Sequence, residues 1–267
     1  MWKRTWQLPV FLFALSVAVS SVAADQWQGK RAAVVFTYDD TLNVHLDKVA
    51  PALDAHNFKG TFYLAVGYPN FQARLDDWRA LANNGHELGN HTMFHPCEGG
   101  MPGREWVSKE RDLSTWSVAR MVDEITMTNT MLQVLDGKTK RTFAYTCGDT
   151  KAGGESFVAP IKQLFVGARG VKAEFQSPQQ VDLFDIRSVV VAGQSAQQLT
   201  AMVDEAIAAG GLLVFLFHGV GGEHPIDVAL ESHNALLDYV RAKQQQLWVA
   251  PMVDVAEYIQ AAQAQSK

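Results

Sequence analysis

The sequence is short of three things. It has only two cysteines in 267 residues, Cys97 and Cys147, so neither a disulfide scaffold nor a four-cysteine zinc module is available. It has no surplus of cations: 23 Lys and Arg face 28 Asp and Glu, a formal net charge of -5, which removes the electrostatic footprint of a nucleic-acid binder. After the first two dozen residues it has no apolar run approaching the roughly 18–20 residues that cross a bilayer. Internal repeats, low-complexity tracts and linkers are missing as well. What is plentiful is apolar side chain, 48% hydrophobic against 19% charged residues, the balance of a folded domain rather than a disordered chain. A single domain of this length buries most of its apolar surface without covalent staples.

Residues 1–24 read as a segment removed before the protein works. Lys3 and Arg4 make a positive start, Leu8 to Val19 is almost unbroken apolar sequence, and Val22 and Ala24 are small residues at signal-peptidase spacing. The expectation is a secretory signal cleaved after Ala24 and a mature domain over 25–267. The protein would be exported, periplasmic or secreted, into an oxidising compartment. A retained membrane anchor is the alternative. It fits less well, because the apolar stretch is short and ends in small polar residues.

Beyond that segment, strand-like and helix-like patterns alternate. The buried-strand patterns are Ala33–Tyr38, Gly60–Val66, Glu87–Asn90, Thr142–Thr146, Leu164–Ala168, Arg187–Val191, Leu212–Phe217 and Leu247–Val249. The helical patterns are Val49–His56, Asp76–Asn84, Met121–Leu135, Ala196–Ala209, Leu230–Lys243 and Val253–Gln263. Strands alternating with helices predict an α/β fold with a parallel sheet and helical crossovers. Seven or eight such units in one domain favour a barrel over an open sheet.

In folds of this kind the chemistry gathers where strands end, and four predicted strand ends carry ionisable residues. The first is Thr37-Tyr38-Asp39-Asp40, where adjacent carboxylates repel unless a cation relieves them; a helix N-cap with a solvated acid is the bland alternative. The second is His91-Thr92-Met93-Phe94-His95, two histidines spaced to share a metal on one helical turn. Thr92 stands where a helical zinc-protease motif needs Glu, and Gly89, Asn90 and Pro96 favour a loop or single turn. The third is Phe143-Ala144-Tyr145-Thr146-Cys147-Gly148-Asp149, a strand-to-loop turn whose amides suit an oxyanion. The fourth is Leu216-Phe217-His218-Gly219, followed by Gly221, Gly222, Glu223 and His224, with His218 placed for acid–base work. Each alone is as readily structural. Together an Asp and two His supply three ligands and leave a position for water, a second Asp supplies a base, and a separate His supplies an acid.

These motifs resemble the polysaccharide deacetylase family, the NodB-homology domain of carbohydrate esterase family four. Thr-Tyr-Asp-Asp at 37–40 is similar to its first motif, His-Thr-Met-Phe-His at 91–95 to its second, and Leu-Phe-His at 216–218 to its fifth. The resemblance spans about residues 30–260. It implies a distorted (β/α) barrel and a metal-dependent deacetylase acting on an acetylated glycan, with N- or O-linked acetyl left open. By the same resemblance Asp40, His91 and His95 would hold a divalent cation, usually Zn. Asp39 would be the base, His218 the acid, and the backbone N–H of Tyr145 an oxyanion donor. Two departures stand out. The family's third-motif Arg has no match at position 142, so Arg141, Arg169 and Arg187 are the candidates to orient the base. The fourth-motif Asp that tethers the acid is unassigned, with Asp182 and Asp185 only loosely at its spacing.

Cys97 and Cys147 lie on loops expected to meet, as a disulfide, free thiols or a thiolate ligand. Trp106 and Trp116 sit in the long polar stretch after His95 and are candidates to stack on sugar, with core packing the plain alternative. Glu223 and His224 are candidates to touch substrate. A carbohydrate-binding protein on a decayed barrel, and a hydrolase of a non-sugar amide, are the competing functional readings.

Overall fold

The computed structural model describes residues 26–265. The predicted signal segment, with its cleavage site after Ala24, lies outside them. Among the described residues no helix is long and apolar enough to cross a membrane.

The chain runs β1 (Ala32–Asp39), α1 (Ala50–Ala55), β2 (Thr61–Leu64), α2 (Pro69–Ala73), α3 (Leu75–Asn83), β3 (Glu87–Asn90), α4 (Val118–Asp136), β4 (Thr142–Ala144), α5 (Val158–Ile161), β5 (Gly167–Arg169), β6 (Val189–Val190), α6 (Ala196–Ala209), β7 (Leu212–Phe217), α7 (Leu230–Ala242), β8 (Leu247–Val249) and α8 (Met252–Gln265). Seven strands form one sheet in the order β5-β4-β3-β2-β1-β7-β6, and β8 pairs with β1 beside them. Every pairing in this sheet is parallel. β1 shares one edge between two partners, β8 at Ala32–Val34 and β2 at Thr37–Asp39. That stagger distorts the curl. β5 makes a single parallel bridge, Arg169 with Ile186, to the segment that leads into β6, flanked by the amide bonds Ala168 N to Leu183 O at 2.7 Å and Gly170 N to Ile186 O at 2.9 Å. The result is the distorted barrel expected from the sequence, with a thin last seam.

β1 is buried at all eight positions, as a strand covered on both faces must be. Its period of two divides those positions cleanly. Ala32, Val34, Phe36 and Tyr38 pack in the cluster that takes in Leu53 of α1, Leu199 and Val203 of α6, and Leu236 and Val240 of α7. Ala33 and Val35 pack with Met252, Val255, Ala256 and Ile259 of α8. Asp39 therefore ends the strand on the side opposite to Tyr38. A third cluster joins α4 to Phe143, Tyr145, Phe157 and Trp116.

At the opposite pole from the strand ends, one buried carboxylate ties three strands and a helix together. Glu87 accepts from Thr61 Oγ1, Thr142 Oγ1, Thr142 N and Val253 N, at 2.7–2.9 Å. Helix ends follow local chemistry. α4 starts on Ser117, whose side chain accepts from Arg120 N, and stops at Gly137 with φ 72°. α6 opens with a reciprocal Ser195–Gln198 capping box and stops at Gly210.

His45, His86 and His233 are fully enclosed. Burial disfavours their charged forms and pushes each down from 6.5 to about 4. Each stays neutral when folded, whereas the unfolded chain takes up protons below about pH 6.5. Stability therefore falls as pH drops from 6.5 towards 4. We expect the thermal midpoint of the metal-free protein to decline steadily across that window; a midpoint constant from pH 7 to 4.5 would contradict it.

Candidate active site

Asp39 and Asp40 are consecutive, yet their carboxylates go to different partners. Asp39 is still in β1, but Asp40 and Thr41 both turn left-handed, at φ 78° and 59°. Asp tolerates that region better than most residues, and strain of this kind persists only where the surroundings hold it. Thr41 Oγ1 supplies the hold by accepting Ala65 N at 2.8 Å.

The histidine pair of the second motif is also shaped by a turn. Asn90, at the end of β3, donates to Ile125 O and Asn129 Oδ1 and accepts Thr92 N. Thr92 and His95 have φ of 66° and 53°, and Thr92 Oγ1 accepts His95 N at 2.9 Å. The histidine motif is thus a loop and not a helical turn. Its two rings nonetheless meet at 4.8 Å, edge to face. Glu124 of α4 accepts the Met93 and Phe94 amides and holds the loop from behind.

Asp40 Oδ1 lies 3.5 Å from His91 Nε2 and 3.4 Å from His95 Nε2. These three donor atoms lie within 4.8 Å of one another. His91 Nδ1 is 2.9 Å from Ala144 O. A carbonyl only accepts, so Nδ1 carries the proton and the Nε2 lone pair faces Asp40. His95 Nδ1 faces Cys97 Sγ at 3.6 Å, which leaves its Nε2 inward as well. Asp40 Oδ1 is buried and has no hydrogen-bond partner. An orphaned carboxylate oxygen opposite two imidazole lone pairs is the donor set of a divalent cation, and nitrogen with oxygen suits zinc. Burial pushes the Asp40 carboxyl up, but the electrostatics of the imidazoles of His91, His95 and His218 around it outweigh that and hold it far below the usual carboxylate range. Burial pushes His95 down to about 4, which keeps its lone pair free at neutral pH.

Asp39 Oδ2 is paired with Arg169 at 2.5 Å, and both side chains are buried. Arg169 also donates to Gly170 O and lies 5.0 Å over the Tyr63 ring. Of the three candidates to orient the base, Arg169 is therefore the one that reaches it. Arg141 is spent on Asp136, Leu88 O and Lys138 O, and Arg187 on Glu174 and Asp185. Asp39 Oδ1 is buried without a partner, 3.8 Å separating its other oxygen from His91 Nε2.

His218 stands on the far side of Asp40, its Nε2 3.8 Å from Asp40 Oδ2. Its Nδ1 is buried with no partner. Asp182 caps Phe184 N and Asp185 pairs with Arg187, so neither tethers the acid. His45 lies outside the four motif stretches, yet its Nε2 is 2.8 Å from His218 O and so fixes the backbone of His218. The only sequence trace of that role is a histidine five residues after the paired aspartates.

Other expected residues fall less simply. Cys97 and Cys147 are joined in a disulfide, so neither offers a thiolate, although both lie near His95. Tyr145 N donates to Arg169 O at 3.2 Å, and its hydroxyl donates to Phe184 O. This corrects its expected role: that amide is already committed to the sheet and is not open to an oxyanion. Trp116 is 3% exposed in the third core cluster and backed by Arg120 at 3.7 Å. It is corrected to a packing residue. Trp106 is 60% exposed, its ring 6.1 Å from that of His95. Glu223 is engaged by Asn43 Nδ2 and Val44 N, and His224 lies against Asp40 Oδ2.

The curled parallel sheet has known counterparts. A family model described as polysaccharide deacetylase matches residues 27–154. A peptidoglycan-N-acetylglucosamine deacetylase of Bacillus cereus is 38% identical over 71 residues, 25% of this chain and 24% of that protein. The matched stretches span about a quarter of the length of the curated relatives. The crystal structure of a putative polysaccharide deacetylase from Mycobacterium smegmatis superposes with a TM-score of 0.62 at 16% identity, covering 88% of this chain and 92% of the other. The PuuE allantoinase superposes at 0.61 and 14% identity, covering 95% and 98%. Similarity to the polysaccharide deacetylase family model thus covers just under half of the chain, and the fold is shared with the solved structures over most of it.

The donor set makes a direct prediction. Asp40→Asn and His91→Gln each lower zinc and cobalt affinity more than about a hundredfold, read by equilibrium dialysis; unchanged affinity in both variants would remove this site as the metal centre.

Proposed function

We propose that this chain is an exported, zinc-dependent hydrolase that removes acetyl groups, N- or O-linked, from a carbohydrate polymer or oligosaccharide. The observation that carries this reading is the split between two adjacent carboxylates. Asp40 turns its free oxygen to two imidazole lone pairs, while Asp39 is set apart by Arg169. A divalent cation held by Asp40, His91 and His95 would supply Lewis acidity, acidifying a water and drawing charge from the acetyl carbonyl. Asp39 Oδ1, buried and without a partner, accepts the proton of the attacking water. Arg169 pairs with Asp39 Oδ2 and so aims the carboxylate, giving the buried charge its partner. His218 Nε2 gives a proton to the leaving nitrogen or oxygen. Exposed Trp106, beside His95, offers a face on which a sugar ring stacks next to the reacting group.

A second reading is binding without turnover on a decayed barrel. One observation favours it: His218 Nδ1 has no carboxylate to hold it. The test is acetate release by the purified mature chain, with zinc or cobalt, from acetylated xylan and from chitin oligosaccharides in parallel. We expect release from one of them and a fall in kcat of about 10²–10⁴ in Asp39→Asn. Metal binding with silence on both substrates would overturn deacetylation and leave the binding protein or the non-sugar amide hydrolase.

A further inference from the structure

His224 belongs to none of the motifs that define the site, yet its ring is set with unusual care. It sits in the loop between the short paired strands Gly219–Val220 and Asp227–Val228, and its ring lies nearly parallel to the His218 ring, 4.7 Å away with 12° between planes. Its Nδ1 is 3.0 Å from Ile226 N. Ile226 O lies farther off, at 3.3 Å, and the amide N–H has no choice but to donate. Nδ1 is therefore the acceptor, and in the neutral ring the proton sits on Nε2. That Nε2 faces Asp40 Oδ2 at 3.5 Å. A nitrogen that carries its proton is a donor to a carboxylate and not a metal ligand.

The two oxygens of Asp40 thus have separate surroundings. Oδ1 faces the lone pairs of His91 and His95. Oδ2 faces His218 and His224. Of those two, only His224 has its ring orientation fixed through the other nitrogen, because His218 Nδ1 has no partner. The loop that carries His224 is tied down at several points. Glu223, at φ 70°, accepts Val44 N at 2.6 Å and Asn43 Nδ2 at 2.8 Å. Lys48 donates to Gly221 O at 2.7 Å, and Gly222 N to Asp227 Oδ1 at 3.1 Å. These contacts join the loop after β7 to the segment just after Asp40, so donor and acceptor move as one unit.

We propose that His224 is a positioning residue of the metal centre. Its Nε2–H holds Asp40 Oδ2, so that Asp40 offers the cation Oδ1 alone, and its ring face backs His218 where a tethering carboxylate is missing. The proposal rests on Asp40, His91 and His95 being the metal centre, and it assigns Glu223 to anchoring the loop rather than to substrate.

Cobalt titration without substrate tests it, with dissociation constant and visible spectrum as readouts. His224→Phe keeps a ring face against His218 but loses the donor. We expect its cobalt affinity to fall about ten- to a hundredfold, with a spectrum altered by a second carboxylate oxygen on the ion. His224→Gln keeps a donor without the ring and restores affinity to within a few-fold of wild type. In turnover, Gln would keep KM near wild type and lower kcat through the unsupported His218. Equal affinity and an unchanged spectrum in His224→Phe would overturn the proposal alone. A wild type that binds no cobalt would overturn the metal-centre reading and the proposal with it.

Discussion

Two buried carboxylates that follow one another in sequence have to be neutralised separately, and the rest of the site is arranged around that requirement. Desolvating each ion costs several kcal/mol unless a partner compensates. Left in one extended strand, Asp39 and Asp40 would point to opposite faces, one of them into the aromatic cluster around Tyr38. The left-handed turn at Asp40 and Thr41 removes that conflict. It keeps Asp39 inward, against Arg169, and swings Asp40 outward to the histidines. The Thr41 contact with the backbone after β2 is the small bond that sustains this turn.

The loops around the donor set share one logic: each is held by a group from a neighbouring stave. The loop after β3 is held by Glu124 from α4 and by the disulfide to the loop after β4. Thr146 donates to Pro96 O, and Asp149 takes both Glu98 N and the Arg104 guanidinium. The loop after β7 is held by Glu223 and Lys48 against the segment after β1. Exposed Trp106 lies next to the Arg104 anchor, so an aromatic surface that would otherwise wander is kept at the mouth of the site.

Much of this was legible in the sequence, and the losses have physical reasons. β1 and β7 are long, apolar and buried on both faces, and both fell where the pattern put them. β5 and β6 shrank to two or three residues, because the sheet curls there and exchanges ladder bonds for a single bridge. The short α2 and α5 have too few turns for a helical period to register. The histidine spacing suits one helical turn, while Gly89, Asn90 and Pro96 favour a loop or single turn; the loop is what forms, and two left-handed residues bring the rings together in it. Arg169 was only one of three candidates, since the partner of Asp39 comes from β5 and not from the strand that carries the family's arginine. The Tyr145 amide failed as an oxyanion donor for the same reason: with Arg169 on the adjoining strand, its carbonyl takes that N–H.

Placing the arginine there also changes the character of the barrel's thin seam. Arg169 is the residue that makes the one bridge to Ile186, and it is also the counterion of buried Asp39. Parting the two edges would draw the guanidinium away and strand a carboxylate in a dry interior. That seam is therefore clamped by charge, and the Asp39–Arg169 pair doubles as a latch between β1 and the edge strand β5.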